Sequence, residues 1–359
     1  MNKVAVVSTL NSPLVKDRAS CVKAIGYEME LLIPETLEGS SKLQKYLSLV
    51  KKMACEKNSL IHIHFAAGPH AGLACVFSCK PVVVSIMGAD ILFKEQPSPT
   101  WSARKLSECI IQYADAITTK SEYLKTAVAA LLKEPKNIET IYWGVNEKIF
   151  YPHAVTEKSD YLFSPRTCEP LYNTESIIGA FAKAYSTNQN LRLILNTAGN
   201  NPAYIEKIKK QISEFALKDV ITCFQSASPE EMASFYNRSK AVISIPHSDG
   251  LPQTIFEAWA CGKPILLSDL PQYKEITKDG AGYITCDGEN IPSITEGIHK
   301  ILQMKATSNF SRKVELLKLE KIYKALEKEQ KKSKPFLKAA ILFFIAGHFL
   351  EMALKKIYK

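Results

Sequence analysis

The sequence predicts an α/β protein made of two Rossmann-like, doubly wound domains in tandem, followed by a C-terminal helical extension. Three observations lead there. Short β-branched runs alternate with amphipathic helical stretches, that alternation restarts near the middle of the chain, and a basic, apolar segment follows its end. A chain of 359 residues exceeds one ordinary core and suits two of about 150 residues plus an appendage. Its 46% hydrophobic and 23% charged residues are the composition of a globular chain.

In the first half, strands are expected at residues 4–7, 29–33, 61–64, 82–86, 116–119 and 139–142. The second half repeats the logic at 161–163, 191–195, 220–224, 241–245, 264–268 and 282–285. Helices are expected between them at 41–57, 121–132, 174–185, 202–215 and 228–239. The last opens on Ser228, Pro229, Glu230 and Glu231, which supply a cap, a first-turn proline and acids at the positive end of the dipole. Pro152 interrupts a hinge over 144–158, so the expected domains are 1–151 and 152–306, facing each other across a cleft. In such sheets ligands bind at the carboxyl ends of the strands.

Charge is unevenly placed. Residues 312–359 hold thirteen Lys/Arg against five Glu, which is +8 of the formal +10. A basic tail on a nearly neutral body argues against a nucleic-acid face and for a local task of the tail. Residues 1–9 run from one lysine into a strand with no tripartite leader, so a cytoplasmic location is expected. The nine cysteines lie among apolar neighbours with no C-x-x-C pair, and are expected to be reduced core thiols.

The stretch that carries chemistry is ISIPHSDGLPQTIFEAWACGKPILLS, residues 243–268. A strand enters a loop holding Asp249 and Gly250, and a helix starts near Gln253 with Glu257 about one turn inside. The N–H groups of residues 250–254, including Leu251, Gln253 and Thr254, point along the helix dipole toward a phosphate or sugar hydroxyls. Glu257 is placed to accept from the two hydroxyls of a ribose, and Asp249 from those of a second sugar. Ala258, Ala260 and Gly262 would let the helix lie close on its sheet.

These residues resemble the E-x7-E motif of glycosyltransferase family 4, with Asp249 in the first acidic position, Glu257 in the second, and AWACGKP continuing the run. Further stretches resemble the same family in the same order: KPVVVSIMGAD at 80–90, ADAITTKS at 114–121, and IYWGVN at 141–146 leading to FYP at 150–152. The resemblance covers roughly residues 1–330. It implies a GT-B enzyme with an N-terminal acceptor domain and a C-terminal nucleotide-sugar domain, a retaining mechanism and no cofactor. The substrate would be a nucleotide-diphosphate sugar. The absence of a D-x-D pair agrees with metal independence. Cations and helix N–H groups would then neutralise the leaving diphosphate. Arg166 occupies the family's diphosphate-arginine position, and Asp90 the acceptor-facing H-G-x-D position, as acceptor orienter or loop anchor, with Met87 and Gly88 beside it. His64 closes a strand opening on the cleft, as acceptor contact or packed strand-end residue. His247 lies near the transferred sugar.

The chain also departs from the family. No lysine stands in the CEPLYN stretch after Arg166, residues 7–13 hold no glycine, Met87 replaces a histidine, and Pro252 replaces a glycine and removes one N–H. A GT-B epimerase-like enzyme and a degenerate GT-B binding module share these features. Residues 307–331 resemble the closing helix that crosses back to the first domain. Beyond it, residues 332–359 form a basic amphipathic helix flanked by Lys331, Lys332, Lys334, Lys355, Lys356 and Lys359. At 100° per residue Lys338, His348, Glu351 and Lys355 share an arc of about 140°, and a broad apolar face with Phe343, Phe344, Ile345 and Phe349 is expected beside it. The helix is long enough to cross a bilayer but suits an anionic membrane surface better, the alternative being a helix docked on the protein's own surface or on a second subunit; the membrane location implies a lipid-linked or polysaccharide acceptor.

Overall fold

The computed structural model describes residues 2–54, 58–93, 100–153, 160–276, 282–306, 312–328 and 333–357. The chain divides into two compact units, Met1–Tyr142 with Lys313–Lys359, and Trp143–Arg312. Residues 154–158 of the expected hinge, and Lys331, Lys332 and Lys359, lie outside the described residues.

The first unit is built on β1 (Lys3–Ser8), β2 (Glu28–Leu32), β3 (Asn58–His64), β4 (Val82–Ile86), β5 (Ala116–Thr119) and β6 (Ile138–Thr140), in the order β2-β1-β3-β4-β5-β6. Every pairing is parallel, so each strand needs a crossover, supplied in turn by α1 (Pro13–Ala24), α2 (Lys42–Met53), α3 (Gly68–Phe77), α4 (Trp101–Tyr113) and α5 (Glu122–Ala129). Helices on both faces explain why Val82, Val83 and Val84 are buried in succession rather than alternately.

The second unit repeats the plan with β7 (Asp160–Ser164), β8 (Leu191–Asn196), β9 (Ile221–Phe224), β10 (Ser239–Ser244), β11 (Ile265–Ser268) and β12 (Tyr283–Cys286), ordered β12-β11-β10-β7-β8-β9 and again wholly parallel. Its helices are α6 (Thr174–Thr187), α7 (Pro202–Glu214), α8 (Pro229–Arg238), α9 (Gln253–Ala260) and α10 (Ile291–Ile301). The capping box expected at Ser228 forms, with Glu231 reaching back to its N–H. Gly262 has φ +69° just after α9, where an added Cβ would meet only Pro152 at 3.7 Å. Its role is therefore to turn the chain out of the helix, not to let the helix approach the sheet.

The last two helices belong to the first unit's architecture. On α11 (Arg312–Leu326), Glu315 forms a buried ion pair with Arg18 of α1, Tyr323 places its hydroxyl 2.6 Å from Nδ1 of His62, and Lys318 donates to Thr140 O at 2.7 Å. Burial alone would lower the Arg18 pKa, but Glu315 and Asp17 outweigh it and hold the guanidinium charged. On α12 (Pro335–Ile357), Ile341 and Ile345 are buried against α3, where a Cβ on Gly72 would come within 2.9 Å of Ile345 Cδ1. Ser102 of α4 donates to the Glu351 carboxylate, and Lys334 donates to Tyr113 O at 2.6 Å.

This docking corrects the expected division of α12 into a polar and an apolar arc. Ile345 and Phe344 turn toward the protein, the latter edge-on to Trp101 at 5.3 Å, and Glu351 turns with them, whereas Phe343 and Phe349 face outward. A second correction concerns the thiols. Cys21, Cys75, Cys168, Cys261 and Cys286 are buried, Cys109 is half-buried, and Cys79 and Cys223 are exposed, so two of them are not core residues.

Candidate functional site

In the second sheet the strand order reverses between β7 and β10, and the chains leaving those two strands diverge, which opens a crevice at their carboxyl ends. Both candidate charges stand there. Arg166 lies just past β7 and Asp249 just past β10, and Arg166 Nη2 meets Asp249 Oδ2 at 2.8 Å. The guanidinium lies over the Tyr172 ring, 4.2 Å from its centroid. Burial works to lower its pKa, yet Asp249 raises it further, so Arg166 is a permanent cation. The Asp249 side chain is only 8% exposed, and Gln272 donates to its backbone carbonyl. Asp249, assigned from the sequence to sugar hydroxyls, forms this ion pair through its Oδ2. Tyr273 is buried beside the pair, its phenol pushed well above the usual range by burial and then by Asp249.

Glu257 occupies the second turn of α9 and is half-buried. The fully buried Tyr236 donates its hydroxyl to Glu257 Oε2 at 2.8 Å, and the Thr254 hydroxyl also reaches that phenol. Gln253 Nε2 donates to Gly144 O at 2.8 Å, so this amide serves the chain rather than a ligand. Gly250 and Leu251 are buried, and Leu251 adopts φ +88°, a conformation that costs a non-glycine residue about 1–3 kcal/mol. His247 is exposed, with Nδ1 3.3 Å from Glu289 Oε1 and its N–H donating to Leu171 O at 2.9 Å.

Helix capping sets this region apart. Among α1 to α10, seven helices receive a side-chain cap, from Ser12, Ser41, Thr100, Ser121, Asn201, Ser228 and Asn290. The three without one are α3, α6 and α9, which follow β3, β7 and β10, strands that flank the two reversal points. In α6 the Glu175 N–H donates to the Tyr204 hydroxyl at 3.3 Å, whereas the cap residues of α3 and α9, Ala67 and Pro252, have no side-chain acceptor to offer, which suits an anionic ligand.

The first sheet reverses between β1 and β3, and His64 ends β3 there. Asp90, past β4, accepts from the N–H groups of Ala66 at 2.9 Å, Gly88 at 2.8 Å and Met87 at 3.1 Å. Burial raises its carboxyl above the ordinary range against these donors. Its geometry is that of a loop anchor, and it fixes Gly88 at φ +120° and the chain around Phe65, at φ +78°. Met87 is half-buried.

His62 and His64 are both buried in β3, edge to face at 4.4 Å. Burial, and then the Arg18 charge, lower the His64 pKa to about 3, and burial holds His62 well below its usual value. His64 Nδ1 has no hydrogen-bond partner. Both rings are therefore neutral in the folded chain and protonate on unfolding. Their stabilisation is complete above about pH 6.5 and is lost as pH falls toward 3, by up to about 1.4 kcal/mol per pH unit for each ring. Denaturant midpoints should fall between pH 7.5 and 5.0, and less steeply in His64→Gln; a flat profile would show the rings charged in the fold.

Sequence reasoning did not single out Tyr172, Tyr236, Tyr273 or Gln272. The tyrosines sit in patterns shared with ordinary core aromatics, and only the chain's return to the strand ends brings Tyr172, Tyr273 and Gln272 to the charged pair and Tyr236 to Glu257.

Residues 145–315 match the family model described as Glycosyl transferases group 1. The O-antigen chain mannosyltransferase RfbU of Salmonella typhimurium is 26% identical over 189 residues, 52% of this chain and 51% of that protein. The N-acetyl-alpha-D-glucosaminyl L-malate synthase of Bacillus anthracis is 23% identical over 260 residues, 66% of this chain and 65% of that protein. The chain thus spans about half of the first relative and just under two thirds of the second. Among solved structures, a glycosyltransferase from Rickettsia africae superposes with a TM-score of 0.69 at 16% identity, over 91% of this chain and 99% of that one. Anabaena Alr3699/HepE in complex with UDP and glucose superposes with a TM-score of 0.66 at 12% identity, over 98% and 100%. With two parallel six-stranded sheets, the chain has the GT-B fold, and its residues 145–315 carry the signature of the glycosyl transferases group 1 family.

Proposed function

We propose that the chain is a retaining glycosyltransferase of the E-x7-E, family 4 type. It moves a hexosyl group from a nucleotide-diphosphate sugar to a glycan or lipid-linked acceptor in surface glycan synthesis (lipopolysaccharide, capsule or exopolysaccharide). It works in the cytoplasm, at the inner face of the membrane. The observation that carries this reading is the pairing of a permanent cation, Arg166, with the open N-terminus of α9 at one reversal point, and Glu257 one turn further on. Similarity to an O-antigen chain mannosyltransferase and to a serotype-specific mannosyltransferase supports a surface-glycan acceptor.

Glu257 takes the ribose hydroxyls, and Tyr236 donates to its Oε2. Arg166 and the N–H groups of α9 stabilise the charge that develops on the leaving diphosphate. Asp249 acts through Arg166, holding it against Tyr172. The departing phosphate takes the acceptor proton, so no protein nucleophile is required.

A panel of nucleotide sugars with membrane extract, run in excess EDTA, tests this. The expected product keeps the donor's anomeric configuration. Epimerised nucleotide without transfer, binding without turnover, or activity restored by magnesium or manganese after EDTA would each overturn the corresponding part.

A further inference from the structure

α12 presents its apolar side to water. From residue 339 to 354 every exposed position is Ala, Leu, Phe or Met, while Glu351 is bonded to α4. Phe336 is 90% exposed, Phe343 67% and Leu350 62%. The surface continues onto the neighbouring helices, where Leu43 and Leu47 of α2 and Trp101 of α4 are each 60% exposed or more. Tyr46, between the two leucines, packs edge-on to Phe349 at 5.9 Å, and Trp101 joins Phe343 through Phe344. The apolar surface is thus continuous across three helices of one unit.

Two arguments choose its occupant. Lysines bracket the exposed run of α12, Lys338 before it and Lys355 after it, and Lys42 and Lys45 flank Leu43. A second copy of this chain would bring like charges together, whereas an anionic lipid surface complements them. A crossing helix would have to pull Ile341 and Ile345 from Gly72 and carry Glu351 and His348 into hydrocarbon, which is unfavourable. Lying in the plane keeps the docking and sets these lysines on one headgroup layer.

We propose that α2, α4 and α12 form a single membrane-contacting face that rests on anionic lipid with α12 docked in the plane, an inference that rests on the membrane-side acceptor reading above. Deleting α12 would uncover Gly72 and Leu106, so the test uses the full chain with surface substitutions. Trp101 is a native reporter, because Trp143 and Trp259 are 5% and 1% exposed.

With phosphatidylglycerol vesicles containing brominated lipid, Trp101 fluorescence should be quenched, and Trp101→Phe should lose that quenching. L43S/L47S should weaken partition about tenfold or more with an unchanged Tm, since each leucine loses its apolar burial in lipid. Phosphatidylcholine vesicles should bind weakly. Sedimentation of the chain without Trp101 quenching or any L43S/L47S effect would leave the tail as the sole anchor and overturn this face. Equal binding to phosphatidylcholine, or a lipid-free dimer broken by L43S/L47S, would overturn the anionic-lipid occupant. No sedimentation at all would remove the membrane-side reading itself.

Discussion

Glu257→Gln should reduce donor affinity by one to two orders of magnitude or more, with little change in Tm. A hydrogen bond to a charged acceptor contributes about 1.5–3 kcal/mol, and a ribose diol makes two. The amide is isosteric, and its oxygen still accepts from Tyr236, so the half-buried site keeps its packing. What it loses is the carboxylate charge, and with the amide oxygen held by Tyr236 the other position becomes an NH2 donor that cannot accept from a diol. Titration calorimetry with a nucleotide sugar measures the effect. Affinity close to that of the unaltered chain would take Glu257 out of the donor site. Tyr236→Phe, which removes only the phenol oxygen, should weaken donor binding less.

Arg166→Ala should lower kcat by roughly a hundredfold to a thousandfold, the range for removing one preorganised donor from a developing anion. It should also lower Tm, because Asp249, 8% exposed, loses its counter-charge in a poorly hydrated place. These two effects separate in R166A/D249N. Removing the stranded carboxylate charge should recover most of the Tm and none of the kcat. Unchanged kcat in R166A would place the essential cation elsewhere, and a Tm that D249N fails to recover would show that the pair does not couple through charge.

The sheets were legible because their inner strands are buried on both faces, so runs such as residues 82–86 and 116–119 carry an unambiguous apolar signal. Helix ends were blurrier: the helix expected over 41–57 stops at Met53, and that over 121–132 covers Glu122–Ala129. Motif spacing and family resemblance led to Arg166, Asp249 and Glu257, but not to the bond between the first two, because pairing across 83 positions is set by the strand order and not by local pattern. The orientation of α12 was misread for a related reason. At 100° per residue Phe344 and Ile345 lie within the arc of Glu351, and that arc meets the protein, where Glu351 accepts from Ser102.

The first unit holds both ends of the chain, and this matters while the protein is being made. Residues 143–312 must be synthesised before α11 and α12 can complete the unit that began the chain, a delay of roughly 10–30 s at typical rates. During that time Arg18 lacks Glu315, His62 lacks Tyr323, and the groove at Gly72 and Leu106 stands open to solvent. The nascent first unit is therefore a natural client for chaperones, and slowing translation between residues 143 and 312 should lower the soluble yield more than slowing it before residue 143.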